Sequence, residues 1–187
     1  MITAGDFRNG INFEKDGELF QVIEFQHVKP GKGAAFVRTK YRNLKTGTIK
    51  EESFNPSVKF EQASLDRRDM QYLYNDGDLY YFMDNDTYEQ FPIRGDIIGD
   101  NVRFLKEGTI CQVVSHQGEI FLVELPIKVE LLVTVCEPAV KGDTATNATK
   151  LATVETGAEI RVPLFINQDD VIRIDTRDGQ YEERVRN

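Results

Sequence analysis

The side chains able to do chemistry in this chain are few and scattered. His27 and His116 are its only histidines, and Cys111 and Cys136 its only cysteines. Zinc-type sites and histidine-based triads need more imidazole and thiolate than this, gathered closely. Both cysteines sit in apolar, strand-like runs ("TICQVV" and "VTVCEP") and read as reduced core residues rather than as a disulfide. "DNDTYE" (84–89) has the opening of a calcium loop but lacks the glycine at its sixth position and the later glutamate, so it reads as a solvated turn. Gly31-Lys32-Gly33 is too short to cradle a phosphate as a P-loop does. The residues give no catalytic constellation, no metal site and no cofactor motif.

The feature that calls for explanation is one of charge. The chain has 187 residues and a formal net charge of −8, yet seven basic residues and no acidic one lie between Phe25 and Lys50. They cluster in "VKPGKGAAFVRTKYRN" (28–43), with Lys29, Lys32, Arg38, Lys40 and Arg42. A solubilising face would mix signs. Local positive charge fits a phosphate backbone, and an acidic remainder limits indiscriminate binding to nucleic acid. A lysine at a loop apex is a mobile point charge with three donors, suited to phosphate or ribose rather than to bidentate reading of bases.

Strands must position this charge. "GELFQVIEFQHV" (17–28) and "AAFVRTKYRNL" (34–44) are both strand-like, and "KPGKG" between them makes a hairpin loop in which Pro30 fixes φ and Gly31 and Gly33 relax it. In the return strand Arg38, Lys40 and Arg42 share one face, opposite Ala35, Val37, Thr39 and Tyr41. One face is expected to be basic and the other to enter a core. Turn dipeptides recur through the rest of the chain: Asp16-Gly17, Thr46-Gly47, Asp76-Gly77, Gln117-Gly118, Thr156-Gly157 and Asp178-Gly179. That spacing suits small antiparallel barrels. One helix is expected over 95–105, where Ile98, Val102 and Leu105 fall at i, i+4 and i+7. A first turn near "TAGDF" would be capped by Thr3, with Asp6 three residues on.

Charge also divides the chain. Residues 1–63 carry a net +2, residues 64–127 a net −7 and residues 128–187 a net −3. The shifts suggest three modules (1–64, 65–127 and 128–187), with a single large sandwich as the competing architecture. No apolar run approaches the roughly 20 residues of a membrane span. The N-terminus lacks the regions of a signal peptide, so a cytoplasmic location is expected.

"DFRNG" (6–10), "VKPGKGAAFVR" (28–38), "YLYNDGDLYYFMDNDTYEQ" (72–90) and a long stretch over 141–185 resemble bacterial elongation factor P, essentially end to end. The resemblance implies an all-β, L-shaped array of three small barrels, an SH3-like (KOW-type) N-terminal barrel followed by two OB-folds. It implies a non-enzymatic translation factor that binds the ribosome between the P and E sites, against rRNA and the P-site peptidyl-tRNA, and relieves stalling at consecutive prolines. Lys32 matches the tip lysine that the family modifies, framed by Lys29, Pro30, Gly31 and Gly33. The extension is a β-lysyl or an aminopentanol-type group, which the tip alone does not decide, and a lysine-modifying enzyme is implied as a partner. Gly142, Asp143, Thr144, Ala145, Thr146 and Asn147 match the family's third-barrel loop. Tyr181 and Arg184 match its terminal Tyr-x-x-Arg, beside the unexpectedly acidic Glu182 and Glu183. No cofactor, DNA or membrane partner is implied. The rival readings are an elongation-factor-P-like paralogue and a general OB-type RNA-binding protein that stacks bases on Tyr72, Tyr74, Tyr80, Tyr81 or Phe82.

Overall fold

The computed structural model describes residues 1–139 and 148–186. Its strands form three antiparallel sheets, joined by the turns that the dipeptides mark. Gly17, Gly47, Gly77, Gly118, Gly157 and Gly179 all take positive φ, and in two of these turns the preceding Asp16 and Gln117 do so as well. Such turns match the right-handed twist of the strands they join.

The first sheet contains β1 (Ile2–Thr3), β2 (Asn12–Lys15), β3 (Glu18–Val28), β4 (Phe36–Asn43), β5 (Ile49–Phe54) and β6 (Lys59–Gln62), in the order β1-β6-β2-β3-β4-β5. The second contains β7 (Leu65–Asp76), β8 (Leu79–Asp84), β9 (Gln90–Arg94), β10 (Ile110–His116) and β11 (Glu119–Glu124), in the order β11-β10-β7-β8-β9. The third contains β12 (Lys128–Cys136), β13 (Thr149–Val154), β14 (Glu159–Pro163), β15 (Val171–Asp175) and β16 (Gln180–Val185), in the order β14-β13-β12-β15-β16. By spatial contact the chain groups into two compact units, one of Met1–Asp66 with Val114–Leu122 and the other of Arg67–Val113 with Val123–Asn187.

The expected helix is broken. An α-turn α1 (Gly95–Ile98) gives way to a 3-10 segment (Gly99–Phe104) at Gly99, whose φ of 73° no α-helix accommodates. Ile98 and Leu105 are buried as expected, but the residue that anchors the segment is Phe104, fully enclosed in a cluster with Val129, Leu131 and Ile174. The start of the chain behaves as its sequence suggests: Asp6 accepts hydrogen bonds from the Thr3 amide (3.0 Å) and hydroxyl (2.8 Å), closing a short 3-10 turn.

Both cysteines are free thiols. Cys111 is buried, and burial pushes its thiol pKa up to about 12. Cys136 is only partly buried, packed at the edge of the third sheet's core with its thiol 3.2 Å from the Ile166 carbonyl, so it is not the core residue its run suggests. In the 84–89 turn Asp84 Oδ1 accepts the amides of Asp86 (2.8 Å) and Thr87 (3.2 Å), and these bonds hold its carboxyl below the usual range.

The core under the first sheet is aromatic. Phe7, Phe13, Phe20, Tyr41, Phe54 and Phe60 are all buried there. Phe13 is the hub, with ring centroids 5.0 Å from Phe7, 5.7 Å from Phe20, 5.6 Å from Tyr41 and 5.1 Å from Phe60. Each such pair adds about 0.5–1.5 kcal/mol beyond burial of its area. Phe13→Ala is therefore expected to destabilise the first unit by about 3–5 kcal/mol. Urea denaturation followed by far-UV circular dichroism checks this, and a loss below about 1 kcal/mol would mean that the hub repacks without a cavity.

Candidate nucleic-acid interface

The basic hairpin begins in the aromatic core and leaves it. β3 has 11 residues, a length of roughly 35 Å at about 3.3 Å per residue. It pairs with β4 from Phe20↔Asn43 to Val28↔Phe36. β5 backs β4 as far as Val37↔Phe54, so the ladder is three strands wide almost to the loop. The loop spans 29–35, two residues longer than the sequence suggests, because Ala34 and Ala35 remain outside the ladder. Lys29, Gly31, Lys32 and Gly33 are exposed there. Gly33 turns the chain at φ 107°, where a β-carbon would lie 3.9 Å from the Pro30 ring. The backbone thus presents Lys32 at the end of a supported strand pair.

The return strand alternates as expected. Val37, Thr39 and Tyr41 are buried, while Arg38 and Arg42 are exposed and Lys40 partly so. The outer face is nevertheless not purely basic, because the ladder brings carboxylates from neighbouring strands beside it. Lys40 Nζ lies 3.4 Å from Glu24 and Arg38 Nε 3.9 Å from Glu51. Glu52 takes a 2.7 Å hydrogen bond from the Tyr41 hydroxyl and lies 3.7 Å from Lys15. Burial and this carboxylate together push the Tyr41 pKa up. Among the described residues Lys29 and Lys32 at the apex and Arg42, Lys45 and Lys50 at the base form no ion pair, so the carboxylates moderate the middle of the hairpin and leave the charge at its apex unopposed. A run without acids in sequence is not a surface without acids, since cross-strand neighbours come from 10 to 20 residues away.

In the third sheet Tyr181 packs partly into the core and Arg184 lies beside it, in a groove of about 520 Å3. Desolvation raises the Tyr181 pKa. The Arg184 guanidinium sits 5.3 Å above the ring of Phe165 and 3.9 Å from Asp170. Phe165 is 54% exposed. Its position in a loop between strands hides it from periodicity; only an aromatic left in water marks it. Glu183 pairs with Arg173, which also holds Glu130 at 2.9 Å, so that acid is part of an internal network. Glu182 pairs with Lys128. The six residues Gly142, Asp143, Thr144, Ala145, Thr146 and Asn147 lie outside the described residues.

Comparison with known proteins assigns these elements. Residues 3–60 match the elongation factor P KOW-like domain, residues 65–123 its OB domain and residues 129–184 its C-terminal domain. An elongation factor P of Acetivibrio thermocellus is 64% identical over 185 residues, covering 99% of this chain and all of its own. Another, from Clostridioides difficile, is 60% identical with the same coverage. The chain belongs to the elongation factor P family. A translation initiation factor eIF-5A family protein of Naegleria fowleri superposes with a TM-score of 0.53 at 16% identity, covering 66% of this chain and 96% of its own, a likeness of fold alone.

Within the elongation factor P fold, the pairing of Lys40 with Glu24 and of Arg38 with Glu51 generates a prediction. Exposed pairs of this kind add only about 0–1 kcal/mol to stability, so Glu24→Gln with Glu51→Gln leaves the fold intact while freeing two cations. The double variant is expected to elute later from heparin, with a steeper dependence of binding on salt. Elution unchanged from the parent would show that the two acids do not moderate the charge of the face.

Proposed function

We propose that this chain is a cytoplasmic translation elongation factor that binds the ribosome between the P and E sites, against rRNA and peptidyl-tRNA. In this reading it speeds peptide-bond formation at consecutive prolines. The observation that carries it is an unopposed lysine at the apex of a ladder-supported finger, in a chain of the elongation factor P family.

Proline is a poor partner in peptidyl transfer because its amine is secondary and its ring restricts geometry. A polyproline nascent chain is stiff and draws the donor ester out of alignment. The ribosome owns the catalytic centre, so a helper need only restore position. Holding the tRNA end in a near-attack arrangement lowers the entropic part of the barrier, and each ~1.4 kcal/mol gained is tenfold in rate. Lys32 contacts the backbone of the tRNA terminus, in a form lengthened by a lysine-modifying enzyme. Lys29, Pro30, Gly31 and Gly33 shape that contact, while Arg38, Lys40 and Arg42 dock the finger on neighbouring RNA. Tyr181, Arg184 and the 142–147 loop supply a second RNA contact. The chain carries no chemistry of its own, uses no cofactor and is not an enzyme. Among the described residues no helix is long and apolar enough to cross a membrane.

A general single-strand-binding role has one observation in its favour. Tyr74 is 52% exposed and stacks on Tyr81 at 4.7 Å, whereas Tyr72 and Phe82 are buried. These rings lie in the segment of net charge −7, which repels a phosphate backbone.

Lys32→Ala is expected to fold normally and to lose rescue of a reporter containing three consecutive prolines. Full rescue by the stably expressed variant overturns the assignment.

A further inference from the structure

In the motif "DFRNG" near the start of the chain, three of the five residues have a structural duty. Asp6 closes the first turn, Phe7 is buried in the aromatic core, and Gly10 takes φ 91° so that its amide reaches the Val22 carbonyl at 2.8 Å. Ile11 and Val22 are bonded at 2.9 Å, which pins the loop against β3. Arg8 is different. Its side chain is exposed, its Nη1 donates to the Phe7 carbonyl at 2.6 Å, and its guanidinium lies 5.4 Å above the ring of Phe25.

Phe25 belongs to the finger. β3 carries an irregularity between Val22 and Glu24, which shifts its alternation so that Val22, Phe25 and His27 lie opposite Tyr41, Thr39 and Val37 on one face. Phe25 and His27 meet edge to face, with ring centroids 5.7 Å apart and planes at 84°. His27 is exposed, and Lys29 follows two residues later. A row therefore runs from the first loop along the finger: guanidinium, phenyl ring, imidazole. It lies on the face opposite Arg38 and Lys40. Their charges are countered by Glu51 and Glu24. Arg8 forms no ion pair among the described residues, although its charge helps to lower the pKa of the nearby Asp6 after the two Thr3 hydrogen bonds. One hydrogen bond uses one of the five N–H donors of a guanidinium.

We propose that Arg8, Phe25 and His27 form a further RNA subsite on the flank of the finger, in which Arg8, seated on Phe25, binds a phosphodiester and the His27 ring supports an unpaired nucleotide. This deepens the functional reading above and rests on it. The chemistry fits RNA that is not in a helix: a planar cation already seated over the half-buried Phe25 ring offers its remaining donors to phosphate, and the exposed His27 ring gives an unpaired base a surface to stack on. Phe25 pre-organises the guanidinium, so less side-chain freedom is lost on binding. Arg8 is a positioning residue for the tip, because it fixes the flank of the same hairpin that carries Lys32.

The test is binding of the full chain to ribosomes carrying peptidyl-tRNA, measured at several salt concentrations, with thermal melting of each variant alongside. Arg8→Ala is expected to bind about three- to tenfold more weakly at low salt and to lower the slope of log K against log salt by about 0.7, the loss of one contact to non-duplex phosphate. Arg8→Lys keeps the slope, since it keeps the charge, and serves as the folded control should Arg8→Ala melt early. A benzophenone side chain placed at position 27 is expected to crosslink to RNA. Lys32→Ala in the same assays separates the two claims. If Lys32→Ala loses rescue while Arg8→Ala binds with an unchanged slope, or if position 27 crosslinks to protein alone, the subsite is overturned and the functional reading stands. If Lys32→Ala retains full rescue, the reading itself fails.

Discussion

The structure depends on the backbone ladder between β3 and β4. At its base the ladder is clamped by aromatic rings, with Phe20 and Tyr41 at 5.0 Å and 83° to each other. At its far end Val28 pairs with Phe36, immediately before the loop. The finger takes its direction from these hydrogen bonds, with β5 backing β4. Without them the apex would be a flexible basic loop, and ordering it on RNA would cost roughly 1–2 kcal/mol per residue.

The same ladder decides where the charge is. It sets Glu24 opposite Lys40 and Glu51 opposite Lys40 and beside Arg38, which leaves Lys29 and Lys32 at the apex uncompensated. Its irregularity near Ile23 turns Phe25 and His27 onto the face of Val22, with Phe25 beneath Arg8. The outer face of the finger is consequently moderated in charge, while its tip and inner flank are not. A protein of net charge −8 can in this way meet a polyanion at one end while most of its surface avoids it.

Much of this was legible in the sequence, for reasons that differ by element. The six turn dipeptides place their glycines at positive φ, which few other residues adopt, so six of the strand-to-strand turns follow from local chemistry. The alternation of Arg38, Lys40 and Arg42 with Val37, Thr39 and Tyr41 follows from a period of two. What escaped depends on contacts distant in sequence. Glu51 and Glu24 reach Arg38 and Lys40 only once register is set, and the shift near Ile23 breaks the period that would place Phe25. Ile98, Val102 and Leu105 keep a helical spacing that Gly99 interrupts in space. Phe165 and Arg8 sit in loops, where no periodicity exists to mark them.

In the proposed function a rigid mount, rather than charge alone, makes the tip effective. The most direct measurement is the rate of proline–proline bond formation with a variant that carries two glycines inserted between Val28 and Lys29. Every cation is retained while the apex is uncoupled from the ladder. Ribosome binding is expected to stay close to that of the parent while the bond-forming rate falls toward the rate without the factor. A rate equal to the parent's would contradict this role of the mount.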